Sequence, residues 1–145
     1  MAFQFSLATV LRVRGLVEEQ EERMLQRILL EIARSNEALA VTDTAIARTN
    51  ASRSTDKFKP FLGHDLHAIY GEVKELKENR KNIVEQIEKL GQLRDKQIVI
   101  YEKARQNREM LSDMRDERRN EHESEIARLE QKTLDDIFIS RRSRN

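Results

Sequence analysis

A seven-residue apolar repeat, broken once, constrains this chain more than any other feature. Leu11, Glu18, Leu25, Ile32, Leu39 and Ile46 stand seven apart, and all but Glu18 are apolar. Val10, Met24, Ile28 and Leu29 widen the stripe. Such a repeat keeps one face of an α-helix against a partner and implies a left-handed supercoil. With Ser6 as N-cap, it predicts a first helix over about residues 6–52, roughly 70 Å long. Gly15 falls inside it and costs about 1 kcal/mol of helix propensity, so the first turns are expected to fray or bend.

The repeat stops over 53–63, which holds the only proline, Pro60, together with Gly63, Ser54 and Thr55. Proline lacks an amide hydrogen and disfavours helix at the residue before it. The period then resumes as Leu62, Ile69, Leu76, Ile83, Leu90, Gln97, Ala104 and Leu111. Companion positions carry Leu66, Val73, Arg80, Ile87, Arg94, Tyr101 and Arg108. A second helix is predicted over about 64–138, on the order of 110 Å, with Gly91 as a candidate bend. A basic tail, 139–145, follows.

Two heptad helices around one break read as an all-α fold: an antiparallel coiled-coil hairpin forming a single domain, 1–145. The register sets Leu11 beside Ala104. It leaves some thirty residues of the longer second helix past any partner, because Met1 would fall opposite about residue 114. Between Glu102 and Glu123 charged residues dominate, and Ala104, Met110, Leu111 and Met114 are the apolar exceptions. Beyond them Ile126, Leu129, Leu134, Ile137 and Phe138 form an apolar stripe that the hairpin does not cover, which marks a binding surface.

Composition narrows the function. Four glycines and one proline among 145 residues are too few for the turns of a β-sandwich, a barrel or a run of βαβ units. Charged residues at 37 % fit long helices with charged faces. Without cysteine there is no disulfide, cysteine zinc site or catalytic thiol. No apolar run reaches the roughly 20 residues of a membrane span, and the opening residues lack the pattern of a secretion signal. A soluble cytoplasmic protein is expected. Net charge is +1, against the basic excess of proteins that coat nucleic acid.

No constellation of catalytic residues emerges. There is no glycine-rich phosphate loop and no nucleophile elbow, and a two-helix coil encloses no pocket. The chain is read as a non-enzyme without cofactor. His64, Asp65 and His67 offer too few ligands for zinc and read as a solvated helix start. The acidic run Glu18–Glu22 reads as a solvated face, with a basic partner as the alternative. Arg141, Arg142 and Arg144 complement the helix dipole. Tyr101 is expected to pack in the seam, and Tyr70, one residue off it, to be exposed.

The two ends carry a resemblance. Phe3-x-Phe5-x-Leu7 followed by Val10-Leu11 and Arg14, the acidic Glu18–Glu22, and the closing Glu130-Gln131-x-x-Leu134-Asp135-Asp136 with Arg141-Arg142 resemble the flagellar export protein FliJ family. The YscO-type proteins of injectisomes are its cousins. Tyr101-x-x-Ala104 and Arg108-x-x-Leu111 are similar to that family's second-helix stretch, although the family often has tryptophan where Tyr101 stands and Leu-Asp-Glu where this chain has Leu134-Asp135-Asp136.

The resemblance implies a small two-helix stalk of the type III export machinery, cytoplasmic and held at the inner face of the cell membrane through the export apparatus. Its joined ends would enter a FliI-like hexameric export ATPase. Its other end would meet the cytoplasmic domain of an FlhA-like export gate, and it would handle empty export chaperones. On this reading Leu7, Leu11, Leu129, Leu134, Asp135 and Ile137 face the ATPase, while Ile46, Ile69, Tyr70 and Val73 face the gate. The free protein would be monomeric, with no nucleic-acid partner. A generic coiled-coil tether and a nucleic-acid-associated coil using the arginine tail remain as alternatives.

Overall fold

The structure is a computed structural model that describes residues 2–55 and 63–144. It is an all-α two-helix hairpin of α1 (Ala8–Thr55) and α2 (Gly63–Arg144), with no strand among the described residues. The expected break lies mostly in 56–62, outside the described residues. By contacts the chain divides into two compact units, Glu21–Ile100, and Met1–Gln20 with Tyr101–Asn145.

In the unit Glu21–Ile100 the helices run antiparallel. Gln97 Nε2 donates to the Glu21 carbonyl at 3.1 Å and to its carboxylate at 2.5 Å, and Arg80 Nε donates to Asp43 Oδ1 at 2.7 Å. Leu25, Ile32, Leu39 and Ile46 are half-buried in the seam, as the repeat requires, opposite the row Ile69, Leu76, Ile83 and Leu90. Each seam residue is covered from one side alone in a two-helix pair. Among the described residues of this unit only Leu90 and Gln97 are therefore buried, and no described side chain in the protein is less than 2 % exposed.

The second seam row of α1 differs from the sequence reading. Met24 and Leu29, expected to widen the stripe, are exposed, as is Val10 in the other unit. Beside Ile28 the row consists of Glu21, Ser35, Thr42 and Thr49, all half-buried. The threonines manage this because each hydroxyl donates to a carbonyl one turn earlier: Thr42 to Ala38 and Thr49 to Ala45, both at 2.9 Å. That satisfies the hydroxyl within its own helix. Gln97 meets its seam position in a similar way, through Glu21. Among the described residues no buried side-chain nitrogen or oxygen lacks a partner.

Two helix limits and two interior positions also depart from expectation. Ser6 does not cap α1: the Ala8 amide donates to the Phe5 carbonyl at 3.1 Å, and the first helical bond runs from the Leu11 amide to the Leu7 carbonyl at 2.9 Å. The Ser6 hydroxyl is instead turned to Arg118, whose guanidinium donates to it at 3.5 Å. Both helices run without interruption through Gly15 and Gly91. At the other end α2 continues to Arg144, through the residues expected to be a tail. Nothing between Ile137 and Arg144 is a helix breaker, and three arginines in the last turn favour the negative end of the helix dipole.

Candidate partner-docking surface

The unit Met1–Gln20 with Tyr101–Asn145 combines three parts: the start of α1, the distal part of α2, and an extended strap that precedes α1. Along the strap Ala2, Gln4 and Ser6 are exposed while Phe3, Phe5 and Leu7 are half-buried. That alternation is the two-residue period of an extended chain lying on a surface. Phe3 stacks at a tilt on His122, ring centroids 5.6 Å apart. The Arg119 guanidinium lies 5.8 Å from the Phe3 ring centre, and that of Arg118 lies 5.9 Å from the Phe5 ring centre. Contacts of this kind contribute about 0.5–1 kcal/mol each at exposed sites.

Phe3 lies fifteen residues before Glu18 and His122 fourteen after Arg108, so their contact follows the register that the Glu18–Arg108 pair sets. That register carries the start of the chain further along α2 than the expected pairing of Leu11 with Ala104, and the expected overhang of some thirty residues shortens to 123–144.

An ion pair ties this unit together. Arg108 Nε donates to Glu18 Oε2 at 2.6 Å, and Nη2 donates to Oε1 at 3.3 Å. The Glu18 side chain is 16 % exposed and that of Arg108 33 %. The hydrogen bond to Glu18 raises the Arg108 pKa above the ordinary arginine value; desolvation opposes this, and the charges of Glu18 and Glu109 add to it. Glu18 is thus not part of a solvated acidic face, and Glu21 is not either: both turn into the hairpin, while Glu19 and Glu22 are exposed. Tyr101 is half-buried in the seam as expected, beside the buried Ala104.

Past His122 the face has no cover from the described chain. Ile126 is half-buried, but Leu129, Leu134 and Ile137 are 56 %, 61 % and 47 % exposed, with Phe138 and Ile139 also open. Ile126, Leu129, Thr133 and Leu134 line a shallow apolar depression on this helix. The Thr133 hydroxyl donates to the Leu129 carbonyl at 2.9 Å, which removes its polarity from the face. Asp135 is exposed and accepts from Gln131 Nε2 at 3.1 Å.

The residues proposed for the ATPase-facing end thus fall into two groups. Leu7 and Leu11 are half-buried inside the unit, and Leu129, Leu134, Asp135 and Ile137 are on its open helix. Of the gate-facing set, Ile46, Ile69 and Val73 are half-buried seam residues of the other unit, and Tyr70 alone is exposed.

Two features were not read from sequence: the Glu18–Arg108 pair and the strap. The pair had a signal, since Glu18 is the one charged residue in an apolar row of α1 and Arg108 stands in the facing companion row. The strap had one too, in the two-residue spacing of Phe3, Phe5 and Leu7.

Among the described residues no three His, Asp or Glu side chains come together to hold a metal ion. The side chain of His64 lies outside the described residues. No helix among them is long and apolar enough to cross a membrane. Comparison with family models, with curated proteins and with solved structures gives no match.

Proposed function

We propose that this chain is a non-enzymatic stalk of a type III protein export apparatus, docking into the hexameric export ATPase by its open helix end. The observation that carries the reading is the exposed apolar face from Leu129 to Phe138, immediately past the point where the strap ends at His122. A face of this kind on a stiff helix suits insertion into a ring whose inner wall supplies the missing apolar cover. The resemblance of Phe3-x-Phe5-x-Leu7 and Leu134-Asp135-Asp136 to FliJ-type ends supports the same reading. Contact with the export gate through the region of Tyr70, handling of export chaperones, and peripheral placement at the membrane through the apparatus belong to the proposal.

The test is a titration of the full chain into the hexameric export ATPase, following hydrolysis rate and hexamer assembly. Stimulation that is lost on deleting residues 125–145, and weakened by Leu134→Ala with Ile137→Ala, is the expected result. If those changes leave binding intact while Tyr70→Ala abolishes it, the polarity is reversed. A homotypic tether is the competing reading, favoured by the exposed Val13, Leu16 and Val17 on α1. It requires the free chain to sediment as a dimer or larger at micromolar concentration.

A further inference from the structure

The open helix past His122 carries its charge in two blocks. From 120 to 139 the acidic residues Glu121, Glu123, Glu125, Glu130, Asp135 and Asp136 stand against only Arg128 and Lys132. Arg141, Arg142 and Arg144 follow. No Asp or Glu precedes any of these three within the four residues over which side chains meet on a helix, and none of them makes an ion pair among the described residues. Glu123 makes none either. Arg119, one turn before it, holds its guanidinium 5.8 Å from the centre of the Phe3 ring.

Charge and apolar area share one side of this helix. At 3.6 residues per turn, Ile126, Thr133 and Ile137 fall along one line, and Leu129 and Leu134 flank it on opposite sides. Glu123 and Arg141 stand eighteen residues, or five whole turns, apart. Both therefore border the line on the side of Leu134. All of these residues except Ile126 are exposed.

We infer that this face pairs with the same face of a second copy of the chain, the two helices running antiparallel about a two-fold axis near Lys132. A two-fold contact brings each side of a helix against the same side of its copy. Glu123 then lies level with Arg141 of the second copy, Ile126 with Phe138, and Glu130 with Leu134. Opposite charges meet at both ends of the overlap, whereas parallel copies would set Glu123 against Glu123 and Arg141 against Arg141. The length fits as well. Arg142 falls level with His122, where the second copy's strap starts to cover its helix. A helix that is acidic at one end of an apolar line and basic at the other is the complement of its own reversed copy.

The inference rests on the reading of this face as a docking surface. Self-pairing and entry into a ring exclude each other, so the free chain keeps its apolar line covered.

The experiment uses the full chain, with sedimentation velocity across the micromolar range and circular dichroism to check that the helices persist. The wild type should form a concentration-dependent dimer. Arg141→Glu and Glu123→Arg should each weaken it about tenfold, because either change sets like charges together at both ends. An equimolar mixture of the two variants, and the double variant carrying both changes, should restore it.

A wild type that stays monomeric throughout, a dimer that neither change weakens, or a loss that mixing does not reverse overturns the inference. A dimer lost instead on Val13→Ser with Leu16→Ser overturns it in favour of the tether. The measurement contains no export ATPase, so its failure leaves the stalk reading standing, and an ATPase that ignores the chain leaves the self-pairing standing.

Discussion

Breaking the Glu18–Arg108 pair should cost more than its place on a thin hairpin suggests, and unequally from its two sides. The contact is two-pronged, at 2.6 and 3.3 Å. Two unit charges about 4 Å apart attract by about 4 kcal/mol at an effective dielectric of 20, before desolvation and side-chain ordering are subtracted. A fully exposed pair retains about 0.2–1 kcal/mol of this, and a charge-assisted hydrogen bond in a partly dry site about 1.5–3 kcal/mol. With Glu18 at 16 % and Arg108 at 33 % exposure, a coupling of about 1.5 kcal/mol is expected.

Glu18 is the more enclosed partner. Arg108→Gln strands a half-buried carboxylate and should destabilise by about 2 kcal/mol, whereas Glu18→Gln leaves an arginine that can turn towards water or Glu109 and should cost about 1.5 kcal/mol. The double variant should cost only about 2 kcal/mol, which closes the cycle. Urea unfolding followed by circular dichroism supplies the three values. A coupling within about 0.3 kcal/mol of zero would refute the reasoning and class the pair with surface ion pairs. The sign of the pH dependence is fixed as well: since the Arg108 pKa is raised on folding, its contribution is full below the unfolded arginine pKa and is lost only as pH rises beyond the folded one. Its share therefore stays constant between pH 7 and 10.

Three further outcomes follow from the same geometry. Gly15→Ala, Gly71→Ala and Gly91→Ala should each stabilise the protein by about 0.5–1 kcal/mol, since an added Cβ meets nothing within 4 Å at the first two and only the Arg94 guanidinium at 3.9 Å at the third; a fall in the urea midpoint at any site would contradict this. Phe3→Ala with Phe5→Ala should free the strap at a cost of about 2 kcal/mol, from two half-buried rings and their cationic partners, and should speed amide exchange at Leu11, next to the freed strap, while leaving 25–46 unchanged. Leu134→Ala with Ile137→Ala should leave thermal stability within about 0.5 kcal/mol, because both side chains are open, while reducing ATPase stimulation at least fivefold.

Much of the helical framework was legible because a seven-residue period is a local property that needs no knowledge of the partner. Leu25, Ile32, Leu39 and Ile46 lie in the seam where their spacing put them, and Tyr70 is exposed as its off-seam position implied. The failures occur where a residue's behaviour depends on what it meets. Met24 and Leu29 are apolar yet exposed, while Ser35, Thr42 and Thr49 line the seam. A hydrophobicity pattern does not reveal that a threonine hydroxyl will be satisfied by its own helix. Ser6 is a good cap by type but belongs to a strap whose Phe3 and Phe5 meet His122, Arg119 and Arg118.

The sequence by itself determined the fold class and the two helices, since periodicity acts through the backbone over short range. Tertiary structure decided which charges turn inwards and how far the strap reaches. Glu18 and Glu22 are the same residue type four positions apart, but only Glu18 meets Arg108, ninety residues away. The register of that pair also carries the covered face as far as His122. Both outcomes depend on the juxtaposition of distant segments, in which side-chain reach, dielectric and register are settled together.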